Sequence, residues 1–551
     1  MTEYPKRPSE DGERPAAPEL DRPKPGGPMG RFLAFVEWAG NLLPHPVTLF
    51  AILALAIVLI SGLCGALGVA VEDPRPEGSA GRAADGMIRV QSLMTGDGLR
   101  WIAQSLVTNF SSFPPFGTVL VALLGVGVAE KSGLLGAVVR GMVLGAPKTL
   151  VTLVIVFAGV VSNTASEMGY VVLIPLAAAV FHALGRHPFA GLAAAFAGVS
   201  GGYSANLLIG TVDPLLAGIT QEAARFIDPT YEVHPAVNWY FMIASTFLVT
   251  GLGWAVTEWI VEPRLGRYDP RLGSADLAND PALERLSKVE KRGMLFAFAS
   301  VLGVAGLIVW AAGPSVPVVS ALPGWGVLRE PESGELLGSP FTRSIVAMIF
   351  VFFLVPGFVY GRTVGTVRTD RDMIDAMASA MSSMGLYIVL VFFAAQFVAF
   401  FGWTNLGQIV AVLGADGLVA MNMDGPIVFV PFILMCALVN LSLGSASAQW
   451  AVTAPIFVPI MMQLGYSPEV TQAAYRIGDS CTNIVTPMMS YFGLILAFAA
   501  RYDRKLGIGT LISTMLPYSI VFLIGWIILF YIWVFALGLP VGPGAPTRLG
   551  G

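Results

Sequence analysis

Residues Ala437–Ser490 constrain this chain more than any other stretch. They read ALVNLSLGSASAQWAVTAPIFVPIMMQLGYSPEVTQAAYRIGDSCTNIVTPMMS, two apolar segments each interrupted by small and polar residues, GSASAQ in the first and GDSCTN in the second. Asn440, Arg476, Asp479 and Asn483 sit inside this otherwise lipid-compatible sequence. Hydrocarbon offers no water to backbone N–H and C=O groups, so a break at membrane depth survives only against protein or a wet cavity. Charged groups at that depth are costly and mark ion or substrate paths. Broken helices that carry them point to a transporter binding site.

The stretch has an earlier echo. Pro188, Ala193, Ala194, Gly198 and Ser200 recur 280 positions later as Pro468, Ala473, Ala474, Gly478 and Ser480. Upstream of each set lies another break, SNTASEMG at Ser162–Gly169 and GSASAQW at Gly444–Trp450, followed by an apolar run with a proline, Pro175 or Pro459. A two-fold internal repeat of this order is a signature of secondary transporters.

Composition agrees with a membrane setting. Of the 551 residues, 55% are hydrophobic and only 12% charged, and the mean hydropathy is +0.72. That is too apolar for a soluble domain and predicts an all-α polytopic membrane protein. The net charge of −4 and the lack of an aromatic-basic patch argue against nucleic acid as a partner. Cys64, Cys436 and Cys481 show neither CxxC nor His spacing, so neither a disulfide framework nor a zinc site is expected. The polar, Pro-rich N-terminus does not read as a cleavable signal peptide.

Lys and Arg in short loops set the orientation. Residues 1–30, expected to be a disordered tail, hold Lys6, Arg7, Arg14, Arg22 and Lys24; the linker 262–292 holds seven more basic residues. Both are placed in the cytoplasm. The 313–340 loop carries only Arg329 and is placed outside. These assignments divide the chain into a first transmembrane repeat (31–261), the linker, a second repeat (293–540) and a C-terminal tail (541–551) that ends outside. The first broken block is approached through Lys131, Arg140 and Lys148, whereas 402–426 before the second has no Lys or Arg. The two halves are therefore expected to be inverted, with broken helices and two re-entrant hairpins. Such an arrangement suits an alternating-access carrier. The competing readings are an ion channel and an intramembrane enzyme; the spans hold no HExxH or paired catalytic aspartates to support the latter.

The runs SNTASEMGYVVLIPLAAAVFHALGRHPFAGLAAAFAGVSGGYSANLLIGTVDPLLAGIT and AAYRIGDSCTNIVTPMMSYF strongly resemble the p-aminobenzoyl-glutamate transporter family, within the wider ion transporter superfamily. The resemblance implies a homodimer with nine transmembrane helices and two hairpins per protomer in the bacterial inner membrane. It also implies coupling to Na⁺ or protons, no organic cofactor, and transport of p-aminobenzoyl-glutamate or export of sulfonamide antimetabolites. Glu167 stands where the family pattern leads us to expect the shorter Asp.

Particular residues carry two readings each. Asp479 is either a hard-oxygen ligand for Na⁺ or the ion-pair partner of Arg476, three residues earlier on the same helical face. The resemblance places Na⁺ around Asn440, Asp479 and Asn483, and pseudo-symmetry gives Asn163 and Asn206 either the matching role or a capping one. Arg476 presents a planar fork suited to a substrate carboxylate, or else serves Asp479. The resemblance gives Asp213 a part in transport; burial, which favours the protonated carboxyl, suits a proton carrier, and the other reading is a cap before Pro214. Trp450 stacks on an aminobenzoyl ring or anchors at an interface, and Ser447 beside it bonds substrate or backbone. Pro468 opens a helix; only the resemblance gives it a transport role.

Overall fold

The computed structural model describes residues 44–75, 82–165, 169–269, 283–314, 323–503 and 506–549. The tail at 1–30, the middle of the 262–292 linker and Glu167 lie outside the described residues.

Helix α1 (Pro46–Ala66) starts on a proline and leads to a small antiparallel hairpin. Its strands β1 (Ala70–Glu72) and β2 (Met87–Arg89) pair with Val71 opposite Ile88. Amphipathic α2 (Gly96–Ser111), capped by Thr95, runs into α3 (Pro114–Lys131). Next come α4 (Leu134–Leu144) and α5 (Val151–Ser162). Beyond the first break, a wide turn at Gly169–Leu173 opens α6 (Ile174–Ala183). Helix α7 (Pro188–Phe196) ends in another wide turn, Ala197–Gly201, before α8 (Val212–Ala224) and α9 (Trp239–Val256).

The second half opens with α10 (Lys288–Ala312) and α11 (Ile345–Val364). Two helices follow, α12 (Asp370–Ser383) and α13 (Gly385–Trp403), divided where the polar SSMG stretch interrupts the run. Helices α14 (Leu406–Ala420), α15 (Phe429–Leu443), α16 (Ala446–Gln463) and α17 (Pro468–Thr482) follow. The chain closes with α18 (Phe492–Ala500) and α19 (Ile508–Phe530).

Among the described residues, eight helical stretches are long and apolar enough to cross a membrane, and five further apolar runs of 10–17 residues are shorter. Burial separates the two kinds. On α10, Leu295, Phe298, Leu302 and Leu307 are all more than half exposed, an apolar surface that suits lipid rather than water. Every residue of α7 and α17 is buried, although α17 carries Glu469, Gln472, Arg476 and Asp479. The polar broken segments are therefore the centre of the molecule.

The two halves bury their centres by the same contact. A Cβ on Gly198 would lie 2.4 Å from the Val156 carbonyl oxygen, and one on Gly478 would lie 2.6 Å from that of Ile433. Only glycine lets the following backbone press so closely onto α5 and α15. The C-terminal segment is docked rather than trailing: Leu549 N–H donates to the Gly465 carbonyl (3.0 Å), and the Arg548 guanidinium lies 4.6 Å from the Tyr466 ring centroid. This segment braces the turn that precedes α17.

Candidate functional site

A cavity of about 250 Å³ opens where the broken segments of both halves converge. The first half contributes Asn163, Tyr170, Tyr203 and Thr211; the second contributes Ser445, Ser447, Asn483 and Tyr491. Gly444, at φ +56°, turns the chain sharply between α15 and α16 and presents Ser445–Ser447 to this space. Tyr170 and Tyr491 stack face to face, with centroids 4.6 Å apart and planes 5° from parallel. A larger cavity of about 630 Å³ lies against α11, but its lining is almost wholly apolar. The smaller one has the convergent polar groups of a binding site.

Behind the cavity wall, the two halves are joined by a buried ion pair. Arg476 Nη2 donates to Asp213 Oδ1 at 2.6 Å, with both side chains almost fully excluded from solvent. The sequence reading that pairs Arg476 with Asp479 is thus corrected: shared helical face notwithstanding, the guanidinium reaches across to α8. The other Asp213 oxygen accepts from the Gly210 N–H at 2.7 Å, so the carboxylate also ties down the start of its own helix. Seven residues along α8, Thr220 donates to Gln472 Oε1 at 2.6 Å, making a neutral rung beside the charged one.

Trp450 is fully buried. Its ring stacks on Tyr475 at 4.3 Å, and its indole N–H donates to Thr220 Oγ1 at 2.9 Å. The expectation of substrate stacking on Trp450 is therefore not met in this conformation, because Tyr475 covers the ring. Pro468 sits at the first turn of α17, with the Ser467 hydroxyl accepting from the Val470 N–H at 3.3 Å. That is the position at which a missing N–H costs nothing.

Asn440, Asp479 and Asn483 do come together. Asn440 Nδ2 lies 2.7 Å from the Asp479 carbonyl oxygen, 2.8 Å from Asn483 Oδ1 and 3.0 Å from Thr482 Oγ1. Neither carboxylate oxygen of Asp479 has a hydrogen-bond partner, nor does Asn440 Oδ1, although all are buried. Orphaned anionic oxygen at such depth is costly unless something positive meets it. Hard oxygens are the donors that alkali and alkaline-earth cations take, so these residues fit a Na⁺ site.

The first half holds a similar contact without a charged residue. Asn163 Nδ2 approaches the Gly202 carbonyl (3.4 Å) much as Asn440 approaches that of Asp479. Asn206 Oδ1 is occupied by Thr164 Oγ1 at 2.7 Å and by the Leu207 and Leu208 N–H groups. In this conformation the Asn206 oxygen caps the backbone, the alternative that the sequence left open.

Sequence reasoning missed the cavity tyrosines and the partners of the ion pair. Tyr170 and Tyr491 each stand just after a break, in MGY and MSY, and that placement was the available signal. Asn238, the partner described below, sits in a loop with no motif around it.

Comparison with known proteins places this geometry. Residues 31–549 match the profile of the AbgT putative transporter family. The chain belongs to the AbgT family of membrane transporters. It is 36% identical over 521 residues to the p-aminobenzoyl-glutamate transport protein of Escherichia coli strain K12, covering 94% of this chain and 97% of that one. Among solved structures it is similar to Neisseria gonorrhoeae MtrF, described as illuminating a class of antimetabolite efflux pumps. That match has 56% identity and a TM-score of 0.86, and it covers 94% of this chain and all of the other. The YdaH transporter of Alcanivorax borkumensis, described as having an unusual topology, matches at 44% identity and a TM-score of 0.82, over 91% of this chain and all of that one. These AbgT relatives are transport proteins rather than enzymes, as is this chain.

Proposed function

We propose that this AbgT-family protein is an ion-coupled secondary transporter that moves p-aminobenzoyl-glutamate or related folate-pathway compounds and exports sulfonamide antimetabolites. The observation that carries the reading is the cavity lined by both broken segments, with the interhalf pair Arg476–Asp213 directly behind it. Val212 lines the cavity next to Asp213 in the chain, so the pair stands one residue behind the cavity wall. An aminobenzoyl ring suits the tyrosine-lined wall. A glutamate carboxylate suits the guanidinium, whose fork binds carboxylates at two points. The names of the E. coli relative and of the gonococcal structure support this substrate range.

Coupling is assigned to two places. Asn440, Asp479 and Asn483 would hold Na⁺, which supplies the positive charge that the buried Asp479 carboxylate needs in order to stay ionised. Asp213 carries a proton when it parts from Arg476 during exchange with the proton motive force, as an antiporter does. We place the protein in the bacterial inner membrane as a homodimer surrounded by lipid, N-terminus cytoplasmic and C-terminus outside.

Proteoliposome uptake with independently imposed Na⁺ and H⁺ gradients tests the reading. Accumulation of labelled p-aminobenzoyl-glutamate or sulfanilamide, driven by either gradient and accompanied by counterflow, is the expected result. Flux that follows only the substrate's own gradient, with no counterflow, sinks it in favour of a channel.

A further inference from the structure

The proposed carrier depends on an arginine that must hold its aim while its partner changes. Arg476 projects from the middle of a wholly buried helix, and one end of its guanidinium is held by Asp213. The other edge meets a neutral group. Arg476 Nε donates to Asn238 Oδ1 at 3.1 Å, and the same oxygen accepts from Gln472 Nε2 at 2.8 Å. Asn238 Nδ2 in turn donates to the Glu469 carbonyl oxygen at 2.8 Å. Its three partners, Glu469, Gln472 and Arg476, are spaced three and four apart and so fall on one stripe of α17. One side-chain amide thus spans two turns of that helix from outside it.

Asn238 is 1% exposed and occupies the N-cap position of α9, an element separate from both α8 and α17. Gln472, held by Asn238 on its nitrogen, accepts from Thr220 on its oxygen, and Thr220 accepts from the Trp450 indole. Every polar side-chain atom in this chain from Trp450 to Asn238 therefore has a partner, in contrast to Asp479 nearby in sequence. A satisfied buried network is rigid. The single member whose partner carries a compensating charge is Arg476.

We infer that Asn238 is the positioning residue for Arg476: a neutral acceptor that fixes one edge of the guanidinium while the other edge exchanges Asp213 for the anionic group of the substrate. This rests on the proposed transport of a carboxylate-bearing compound. The chemistry requires an uncharged amide at this place. A carboxylate there would neutralise the arginine and compete with both Asp213 and the substrate, whereas an apolar side chain would leave Nε without its acceptor. The plane of the guanidinium makes the device possible, because holding Nε fixes the direction of both terminal nitrogens.

The test uses the full-length protein and two probes, p-aminobenzoyl-glutamate, which carries carboxylates, and sulfanilamide, which does not. KM for each is measured in proteoliposomes for wild type, Asn238→Asp and Asn238→Ala, and the ratio of the two KM values is compared. Because the ratio is internal to each preparation, partial misfolding of a variant does not distort it. Both variants should raise KM for p-aminobenzoyl-glutamate about ten-fold relative to sulfanilamide, Asn238→Ala through loss of one charge-assisted hydrogen bond and Asn238→Asp through competition for the guanidinium. Gln472→Met, which removes only the second donor to Asn238, should change the ratio less than either. A wild type that discriminates through Arg476, as shown by Arg476→Lys, with variants that leave the ratio unchanged, overturns the inference alone. A wild type that transports neither probe overturns the functional reading and this inference with it.

Discussion

Arg476 and Asp213 lie 263 positions apart in sequence and 2.6 Å apart in space, in a buried pair that fastens one half of the protein to the other. Removing one member of such a pair leaves an uncompensated buried charge, commonly worth about 3–5 kcal/mol. A pair of this kind is a poor way to gain stability and a good way to make two elements move together. Its position behind a cavity formed by both halves ties that coupling to transport.

Asp213→Asn keeps the shape of the side chain and an acceptor for Arg476, and it mimics the protonated carboxyl. We expect it to bind substrate and to exchange labelled for unlabelled substrate nearly as well as wild type. It should fail to accumulate substrate against a pH gradient. Normal proton-driven accumulation would exclude Asp213 as the obligatory proton carrier. Some loss of thermal stability follows from leaving Arg476 without its countercharge; loss of substrate binding and exchange as well would make Asp213 a structural residue instead.

Arg476→Lys retains the charge, but a single ammonium cannot reach both Asn238 and Asp213 with the geometry of a fork. Transport of p-aminobenzoyl-glutamate should fall about ten-fold or more, that of neutral sulfanilamide much less. Equal losses, measured side by side in proteoliposomes, would make the arginine purely structural.

Asp479→Asn removes the charge from a carboxyl group that has no hydrogen-bond partner. Its effects should have opposite signs with and without Na⁺. In Na⁺-free detergent solution the variant should melt at or above the wild-type temperature, because the cost of burying an unpartnered carboxyl, ionised or protonated, has gone. Added Na⁺ should stabilise wild type, by about 2.7 kcal/mol at a hundred times its Kd, and the variant hardly at all. Asn483→Ala should weaken the Na⁺ response without the first effect. An unchanged Na⁺ response in both variants moves the ion site elsewhere.

Gly478→Ala would place a methyl group 2.6 Å from the Ile433 carbonyl oxygen, whereas a Cβ on Gly417 would meet nothing within 4 Å. Overpacking against backbone costs about 1–3 kcal/mol. Gly478→Ala should therefore lower the melting temperature, and Gly417→Ala should leave it unchanged or raise it slightly. Equal behaviour of the two would contradict the close packing of α15 on α17.

At the β1–β2 hairpin, the bonded Arg75 guanidinium holds the Asp73 carboxyl below its ordinary range. The folded pKa is thus lower than the unfolded value of about 3.9. The contribution of the pair is full above that value and is lost as pH falls through the folded one. Hydrogen exchange at the Asp73 N–H, which is bonded to the Gly86 carbonyl, should lose protection below about pH 4 relative to its own intrinsic rate. Asp73→Asn should show no such loss; an equal loss in both would detach the hairpin from this pair.

The sequence by itself determined the class of molecule and the location of its centre. Apolar runs of membrane length and the polar interruptions at SNTASEMG, GSASAQ and GDSCTN are local properties, set by what hydrocarbon tolerates, and they are legible residue by residue. The grouping of Asn440, Asp479 and Asn483 was also within reach, through the family resemblance that placed Na⁺ around them. Partner choice was not. Helical spacing offered Arg476 the carboxylate of Asp479, yet the fold gave it Asp213, since the packing of α17 against α8 brings that carboxylate within 2.6 Å. The same packing covered Trp450 with Tyr475 and turned it from the cavity. It also brought in Asn238 from the loop before α9, a residue with no motif to announce it. Such contacts depend on which faces of distant helices meet, and the local sequence around each residue carries no record of that meeting.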